Sequence, residues 1–264
     1  MIKNVEFNVT PQERVKLFLD DEQFGQELML KYFAKESVYE PETFLLFKRL
    51  LKEGDTFIDI GGHVGFFSIV SSALVGVSGR VYTFEPEPKN YLHLLQHIQV
   101  NNLRNITPHC WAVGDQSKMV VFNQNQDCDG GHSLWDCGKF GNNVKSRENP
   151  VRIATYMASL DVELAGRDLS KLKLVKADVE GAEELALRGM EQILKTHQPF
   201  VVAEIHEFGL HQMGSSGQAL RKYMESLGYI TYLLEKEEPE SLVGKPLPNK
   251  EFVYNVLFAA KDLP

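Results

Sequence analysis

From residue 55 onward, short apolar runs bounded by turn residues alternate with longer stretches whose apolar positions recur at helical spacing. The first pattern predicts buried β-strands, and the second predicts amphipathic helices. Strands are predicted at residues 56–60, 80–84, 106–113, 172–178, 200–205, 229–234 and 252–260, and helices at 66–75, 88–100, 183–194 and 218–227. Strands that alternate with helices form a parallel sheet with helices on its faces, so the pattern predicts an α/β fold.

The last two predicted strands are joined by the polar segment 235–250 instead of a helix. Strands joined without a crossover helix pair in the antiparallel direction. The sequence therefore predicts a seven-stranded, mostly parallel sheet with an antiparallel pair at one edge. Simple dehydrogenase folds lack such a pair.

Residues 1–51 precede this alternation and are predicted to form an N-terminal helical appendage. Thr10 is placed to cap a helix, with Pro11 at its first position and Glu13 completing a capping box. Another helix is predicted at residues 41–51, where apolar side chains share one face. We expect the appendage to cover the pocket of the main domain or to form an oligomer contact, so a homo-oligomer is one expectation.

The main domain, residues 52–264, is interrupted at residues 123–150 by a polar segment rich in glycine and asparagine. A loop of this length in a compact domain is usually functional or disordered. The segment contains Asp127, Asp129, His132 and Trp135. We therefore expect either a substrate lid or a solvated, mobile insertion.

Composition and charge exclude several classes of protein. The chain of 264 residues is 43% hydrophobic and 24% charged, which is typical of a soluble globular protein. Its formal net charge of −8 disfavours a nucleic-acid partner, because such proteins usually carry a basic surface. Three irregularly spaced cysteines predict free thiols in a reducing compartment. With no apolar signal core and no run long enough to span a membrane, a cytoplasmic protein without a membrane partner is expected.

The segment from Thr56 to Gly65 reads Thr-Phe-Ile-Asp-Ile-Gly-Gly-His-Val-Gly, a buried strand that leads into a glycine turn. The next strand ends at Glu85, and this layout forms a nucleotide-shaped pocket at the carboxyl edge of a parallel sheet. A dinucleotide fingerprint would need glycine at Ile60. Asp59 instead suits a positively charged ligand such as S-adenosylmethionine, and Glu85 is placed to accept hydrogen bonds from both ribose hydroxyls. The structural alternative is a tight turn that binds no ligand.

Several other residues are candidates for the same pocket. Cofactor contacts are predicted for Asp59, Gly61, Gly62, Gly65, Glu85, Pro86, Ala112 and Asp115. Ala112 and Asp115 follow the third strand, where the adenine ring would lie, and Asp115 would read the adenine amino group or cap a turn. His63 would contact the cofactor carboxylate or the substrate, or simply fill the loop. His93 and His97, four residues apart, are predicted to lie on a solvated helix face.

A cluster of ionisable residues is predicted where the fourth and fifth strands end. Strand alternation places Glu204 and His206 on one face, and Asp178 ends the neighbouring strand. In one interpretation these three residues bind Mg²⁺ or Mn²⁺, which would chelate substrate oxygens. In a second, His206 or Asp178 acts as a general base without a metal. In a third, Glu180 and Glu183 cap the following helix while the others pair with basic residues.

The chain resembles the FkbM family of S-adenosylmethionine-dependent methyltransferases from about Tyr39-Glu-Pro41 to Glu207. The resemblance rests on Asp59-Ile-Gly-Gly-His-Val-Gly65-Phe-Phe-Ser68, Phe84-Glu-Pro86, Ala112-Val-Gly-Asp115, Ser159-Leu-Asp161 and Asp178-Val-Glu-Gly-Ala-Glu183. The last segment is the most specific. The family's usual loop is similar to Gly-Ala-Asn-x-Gly, so Gly62 and His63 depart from it.

The resemblance implies a Rossmann-like class I methyltransferase fold with S-adenosylmethionine as cofactor. It implies methyl transfer to a hydroxyl of a small molecule, commonly a sugar, a polyketide or another natural-product scaffold. The acceptor oxygen would attack the sulfonium methyl in line, with activation by Asp178, Glu204 and His206. A non-catalytic methyltransferase-like binding module, an N- or C-methyltransferase of a small molecule and a nicotinamide-dependent oxidoreductase are the alternatives.

Overall fold

The computed structural model of the protein describes residues 1–248 and 253–263. Its strands are β1 (Ile2–Asn8), β2 (Arg14–Asp20), β3 (Thr56–Ile60), β4 (Arg80–Phe84), β5 (Ile106–His109), β6 (Ala112–Val113), β7 (Lys118–Gln124), β8 (Val151–Ala158), β9 (Leu172–Ala177), β10 (Phe200–Ile205), β11 (Ile230–Leu234), β12 (Glu240–Ser241) and β13 (Tyr254–Ala259). Its helices are α1 (Phe24–Phe33), α2 (Pro41–Leu50), α3 (Phe66–Val75), α4 (Pro88–Val100), α5 (Val144–Glu148), α6 (Leu160–Glu163), α7 (Glu183–Arg188), α8 (Glu191–His197), α9 (Glu207–Gln212) and α10 (Gly217–Ser226), with a 3₁₀ turn at Cys137–Lys139.

The main sheet has the strand order β12-β11-β13-β10-β9-β3-β4-β5. Strands β10, β9, β3, β4 and β5 are parallel, and β13 runs antiparallel between β10 and β11, as predicted for the edge pair. The sheet has eight strands instead of the predicted seven, because the two-residue strand β12 pairs with Tyr232 and Leu233 of β11. Residues 249, 250 and 252 of the predicted loop and last strand lie outside the described residues.

The central strands are buried on both faces, as expected for parallel strands between two helical layers. Every residue of β3 is buried. Phe57 packs into one core with Phe47 and Phe67, whereas Ile58 and Ile60 point into the other. This double burial fixes the carboxyl end of β3, and therefore the start of the glycine turn, relative to both helical layers.

The appendage begins with a β-hairpin, so the prediction of a helix starting at Thr10 is wrong. Thr10 Oγ1 does accept backbone N–H groups of Gln12 and Glu13, at 3.3 and 3.0 Å, but this turn joins β1 to antiparallel β2. The apolar residues that follow alternate, with Val15 and the next two odd-numbered leucines buried. A period of two favours a strand, and it overrides the local capping signal. Helices α1 and α2 complete residues 1–51.

A second, three-stranded sheet with the order β6-β8-β7 was missed by the sequence analysis. The predicted strand 106–113 is divided: Ile106–His109 joins the main sheet, and Ala112–Val113 pairs with β8. The predicted helix 183–194 is also divided, into α7 and α8. Gly189 lies at this break, where any added Cβ would overlap the carbonyl oxygen of Gly114.

Most of residues 123–150 form the connection between β7 and β8. The segment folds back on itself through a bridge between Asn123 and Ser133, followed by the 3₁₀ turn and α5. It contributes Cys128, Gly130, His132 and Leu134 to the wall of the cavity at the carboxyl edge of the main sheet. Among the described residues, no helix combines the length and apolarity needed to cross a bilayer.

Candidate active site

A cavity of about 290 Å³ lies beyond the carboxyl ends of β3, β4, β9 and β10. Of the residues predicted from sequence, eight line it: Asp59, Gly61, Gly62, Glu85, Pro86, Ala112, Asp178 and Glu204. The appendage supplies an apolar wall that includes Phe24, Leu28, Met29 and Tyr39. Three predicted residues, Gly65, Asp115 and His206, are not on the wall.

The glycine turn is held tightly by its protein neighbours. An added Cβ at Gly61, whose φ is +86°, would overlap the backbone oxygen of Asp178, and one at Gly62 would overlap Thr83 Oγ1. Gly65, with φ +94°, packs against Leu94 of α4 and serves this packing instead of lining the cavity. The backbone N–H groups of Gly61 and Gly62 both donate to the carbonyl of Phe84, at 2.9 and 3.0 Å.

His97, predicted to be solvated, is buried and supports this turn from α4. Its Nδ1 lies 2.6 Å from the carbonyl oxygen of Val64, and its Nε2 lies 2.9 Å from the backbone nitrogen of Phe18. Burial lowers the pKa of His97 and favours the neutral ring. The shorter contact favours the proton on Nδ1, so that Nε2 accepts the Phe18 N–H, with the Phe18 carbonyl oxygen also 3.0 Å from Nε2. The imidazole therefore connects the hairpin, α4 and the glycine turn.

Two carboxylates that were predicted to contact the cofactor line the cavity. Asp59 accepts a hydrogen bond of 2.6 Å from Ser68, and burial raises the pKa of Asp59 to about 6. Glu85 accepts the backbone N–H of His63 at 2.7 Å and that of Glu87 at 2.8 Å. Burial raises the pKa of Glu85 to about 7. Each Glu85 oxygen accepts one backbone hydrogen bond and keeps a second lone pair for a ligand.

A stack of rings borders the cavity next to Glu85. His109 lies 4.9 Å from Phe84 and 4.5 Å from Trp111, measured between ring centroids. Trp111 and Ala112 line the cavity beside this stack. Asp115, predicted to read an adenine amino group, is instead exposed, because the chain leaves the cavity after β6 and turns toward β7.

Three further carboxylates meet on the cavity wall at the ends of β9 and β10. Oxygen atoms of Asp178, Glu180 and Glu204 all lie within 4.8 Å of one another. Burial raises the pKa of Glu204 well above its ordinary value, and the neighbouring carboxylates add to the effect. The spacing of the oxygens matches what a hard divalent cation could bridge.

His206 is not part of this set, so the predicted ligand group of Asp178, Glu204 and His206 is corrected. Its Nδ1 lies 3.0 Å from Glu180 Oε2, behind the carboxylates, and its ring packs edge-on to Trp135 and Phe140 of the insertion. Strand β10 ends at Ile205, so the alternation that placed His206 beside Glu204 no longer applies. Burial opposes protonation of His206, but the Glu180 contact outweighs it and raises its pKa.

A buried lysine was missed by the sequence analysis. Lys176 Nζ lies 2.5 Å from Asp178 Oδ2 and 4.9 Å from the ring centroid of Phe67. Burial disfavours its charge, but Asp178, Glu40 and Asp59 outweigh this effect and raise the pKa of Lys176. Its ammonium therefore supplies a fixed positive charge beside the carboxylates. Its place on β9, two residues before Asp178, was the only signal in the sequence.

From the sequence, Glu183 was assigned a structural role and Glu40 was assigned none. Glu183 Oε1 accepts the backbone N–H groups of Val179 and Gly181, both at 3.0 Å, and is fully buried. It therefore holds the turn that carries Glu180, and its partners precede α7, so it does not cap that helix as the structural interpretation expected. Glu40, in the left-handed region with φ 44°, lines the cavity and accepts a hydrogen bond of 2.9 Å from Asn255.

Comparison with known proteins places these features in a family. The sequence model of the methyltransferase FkbM domain matches residues 59–231. "Methyltransferase 1" of Beauveria bassiana (strain ARSEF 2860) is 27% identical over 149 residues, which is 52% of this chain and 59% of that protein. The match therefore spans less than two thirds of the length of that relative.

Solved structures of methyltransferases are also similar. The methyltransferase FkbM from Methylobacillus flagellatus KT is 13% identical with a TM-score of 0.49, over 88% of this chain and 53% of that chain. The precorrin-6y C5,15-methyltransferase from Geobacter metallireducens GS-15 is 16% identical with a TM-score of 0.46, over 84% of this chain and 88% of that chain. Since the domain match covers most of the chain and includes Asp59, Glu85, Asp178 and Glu204, the protein belongs to the FkbM family of methyltransferases.

Proposed function

We propose that the protein transfers a methyl group from S-adenosylmethionine to a hydroxyl of a small-molecule acceptor. The observation that carries this proposal is a single cavity lined by two groups of carboxylates, Asp59 and Glu85 from the ends of β3 and β4, and Asp178, Glu180 and Glu204 from the ends of β9 and β10. The first group, the proposed cofactor end, suits a positively charged nucleoside. The second group, the proposed acceptor end, offers oxygen atoms that can receive a proton from an attacking hydroxyl.

The residues of the cofactor end fit this ligand. Glu85 would accept hydrogen bonds from the two ribose hydroxyls with its remaining lone pairs. The adenine would lie beside the ring of Trp111. Asp59 would face the ammonium group. S-adenosylmethionine, when bound, supplies an electrophilic sulfonium methyl, so the protein has to align the acceptor with it and exclude water.

The acid cluster would activate the acceptor. An alcohol keeps its proton at neutral pH, so a base in hydrogen-bond reach assists its attack. Asp178 Oδ2 contacts Lys176, so Oδ1 would receive the hydroxyl proton. The acceptor oxygen would gain the methyl group as the methyl–sulfur bond breaks, and S-adenosylhomocysteine would leave. Burial raises the pKa of Glu204 well above its ordinary value, which favours its protonated form and lessens its repulsion of Asp178.

The apolar wall limits the acceptor. Phe24, Leu28 and Met29 of α1, together with Tyr39, face the cavity without offering a row of hydrogen-bonding groups. A fully hydroxylated sugar needs many such partners, whereas a scaffold with an apolar face does not. We therefore favour a natural-product scaffold that presents one hydroxyl toward Asp178.

The direct test is calorimetric titration with S-adenosylmethionine in Mg²⁺ and again in EDTA, followed by transfer of labelled methyl to matched alcohols, phenols and amines. Saturable one-site binding and label on oxygen in both buffers are expected, because Lys176 already supplies the positive charge. Transfer that requires Mg²⁺ would instead assign a metal to the three carboxylates. Label on nitrogen or carbon would overturn O-methylation, and absence of cofactor binding would favour the non-catalytic module.

Asp178→Asn should lower the rate of methyl transfer by about 100-fold, toward the lower end for loss of a general base because Glu180 remains nearby. Cofactor affinity should change little, since Asp178 is at the acceptor end. Single-turnover transfer and calorimetry on one preparation measure both quantities. Asp115→Asn, on the exposed surface, is the matched control, and an Asp178→Asn variant that kept the full rate would remove Asp178 from the mechanism.

A further inference from the structure

We propose that His63, held by Asp129 of the insertion, binds the carboxylate of the amino-acid part of S-adenosylmethionine. This inference rests on the proposed function and assigns a residue that the family's usual loop lacks.

The cavity wall is strongly acidic, which is unfavourable for a carboxylate. Six acidic side chains line it: Glu40, Asp59, Glu85, Asp178, Glu180 and Glu204. The basic side chains among its described lining residues are His63, His132 and Lys176. A bound ligand carboxylate needs one of these cations or a backbone N–H as its partner.

Two of the three basic side chains are already committed. Lys176 Nζ contacts Asp178 and lies over the ring of Phe67. Burial lowers the pKa of His132 to about 4, and its Nδ1 accepts the backbone N–H of Asn125 at 2.8 Å, so this ring is neutral. His63 also pairs with a carboxylate, that of Asp129, but only through Nε2, so its other ring nitrogen remains for a ligand.

The geometry around His63 favours its charged form. Its Nε2 lies 2.9 Å from Asp129 Oδ2. Asp129 also accepts the backbone N–H of Gly25 at 2.6 Å and the side chain of Gln26 at 2.9 Å. Burial of the ring opposes protonation, but the contact with Asp129 outweighs it and raises the pKa of His63. Among the described residues, Nδ1 has no hydrogen-bond partner, so its N–H can donate to a ligand.

The backbone places this ring near the expected ligand tail. The backbone N–H of His63 donates to the Glu85 carboxylate that would bind the ribose. The imidazole of the same residue therefore lies beside the proposed ribose site. The residue has φ 49°, a left-handed conformation that non-glycine residues adopt at a cost. Asn90 Nδ2 donates to the Asp129 carbonyl at 2.7 Å, which ties the insertion to α4 and keeps Asp129 in place.

The experiment compares S-adenosylmethionine with its decarboxylated analogue, which keeps the adenosine, the sulfonium and the ammonium group. Dissociation constants of both ligands are measured by calorimetry for the wild type and for His63→Asn, whose new residue tolerates a positive φ. We expect His63→Asn to raise the dissociation constant of S-adenosylmethionine by about 10-fold or more, as for loss of a charged hydrogen bond. The dissociation constant of the analogue should stay within about 2-fold of its wild-type value. Asp129→Asn should also weaken binding of S-adenosylmethionine more than binding of the analogue.

His93→Asn is the matched control, because this histidine lies on α4 outside the cavity wall. Equal weakening of both ligands by His63→Asn would overturn the inference and leave His63 as a support of the loop. No change for either ligand would also overturn it. A wild type that binds neither ligand would refute the proposed function itself, so the two failures are distinguishable.

Discussion

Glu85→Ala is expected to raise the dissociation constant for S-adenosylmethionine by about 1,000-fold, since hydrogen bonds to a charged group contribute about 1.5–3 kcal/mol each and two ribose hydroxyls would be lost. The variant also leaves the backbone N–H groups of His63 and Glu87 without their acceptor. Loss of these contacts loosens the glycine turn and adds to the effect. Titration calorimetry measures the change, with thermal unfolding as the check that the variant is folded.

In the wild type, protonation of Glu85 and Asp59 should cause part of the same loss of cofactor affinity. In the proposed complex, ionised Glu85 would accept hydrogen bonds from the ribose hydroxyls, and ionised Asp59 would attract the ammonium group. Burial raises their pKa values to about 7 and about 6, so both carboxylates bind protons as the pH falls through that range. Cofactor affinity should therefore weaken from pH 8 to pH 5, and the upper part of this dependence should be absent in Glu85→Gln.

Asp115→Ala provides the contrast for Glu85→Ala, because both acids were predicted to contact the cofactor but Asp115 is exposed outside the cavity. The dissociation constant of Asp115→Ala for S-adenosylmethionine should match that of the wild type. If Glu85→Ala kept wild-type affinity, the cofactor would not bind at the end of β4. If Asp115→Ala weakened binding tenfold, the adenine would extend beyond the cavity described here.

The position of Asp59 and Glu85 on one cavity could be predicted from sequence because its signals are local. Asp59 and Glu85 each end a buried strand, and the order of strands in a parallel sheet brings such ends together. The N-terminal hairpin was missed for a related reason: the bonds that Thr10 makes in a helix cap are the bonds it makes in this turn. The alternation that begins at Val15 was the discriminating signal.

The acceptor end was only partly predictable, because its geometry depends on where elements end and on distant contacts. His206 was placed by strand alternation, but β10 ends one residue earlier and the imidazole turns to Glu180. Asp129 lies 66 residues from its partner His63, within a segment that shows no periodicity. Only the folded chain brings these pairs together.

Lys176 connects the stability of the protein with its proposed chemistry. Its ammonium is buried between carboxylates that serve both ends of the cavity, with Asp59 on one side and Asp178 on the other. A site that gathers acids for a cationic cofactor and for proton transfer would otherwise repel itself. The lysine stabilises this arrangement in the absence of ligand, and this role makes it sensitive to substitution.

Lys176→Met is expected to destabilise the protein by about 3–5 kcal/mol, the cost of removing one partner of a buried ion pair. The loss should lower the melting temperature by about 10 °C or more, given about 2–4 °C per kcal/mol for chains of this size. Thermal unfolding followed by circular dichroism measures it. Lys173→Met, on the same strand but only partly buried, is the matched control and should change the melting temperature little.

The pH dependence of this loss has a definite sign. Without the ammonium, the pKa values of Asp59 and Glu40, which burial already raises, should rise further. When the pKa of a carboxyl is higher in the folded than in the unfolded chain, deprotonation of that carboxyl lowers the free energy of unfolding as the pH rises from the lower pKa to the higher one. Lys176→Met should therefore be most destabilised near pH 8 and recover toward pH 5, and adding Asp178→Asn should restore part of the stability at pH 8. An equal loss at both pH values would show that the lysine acts through packing on Phe67 and not through charge.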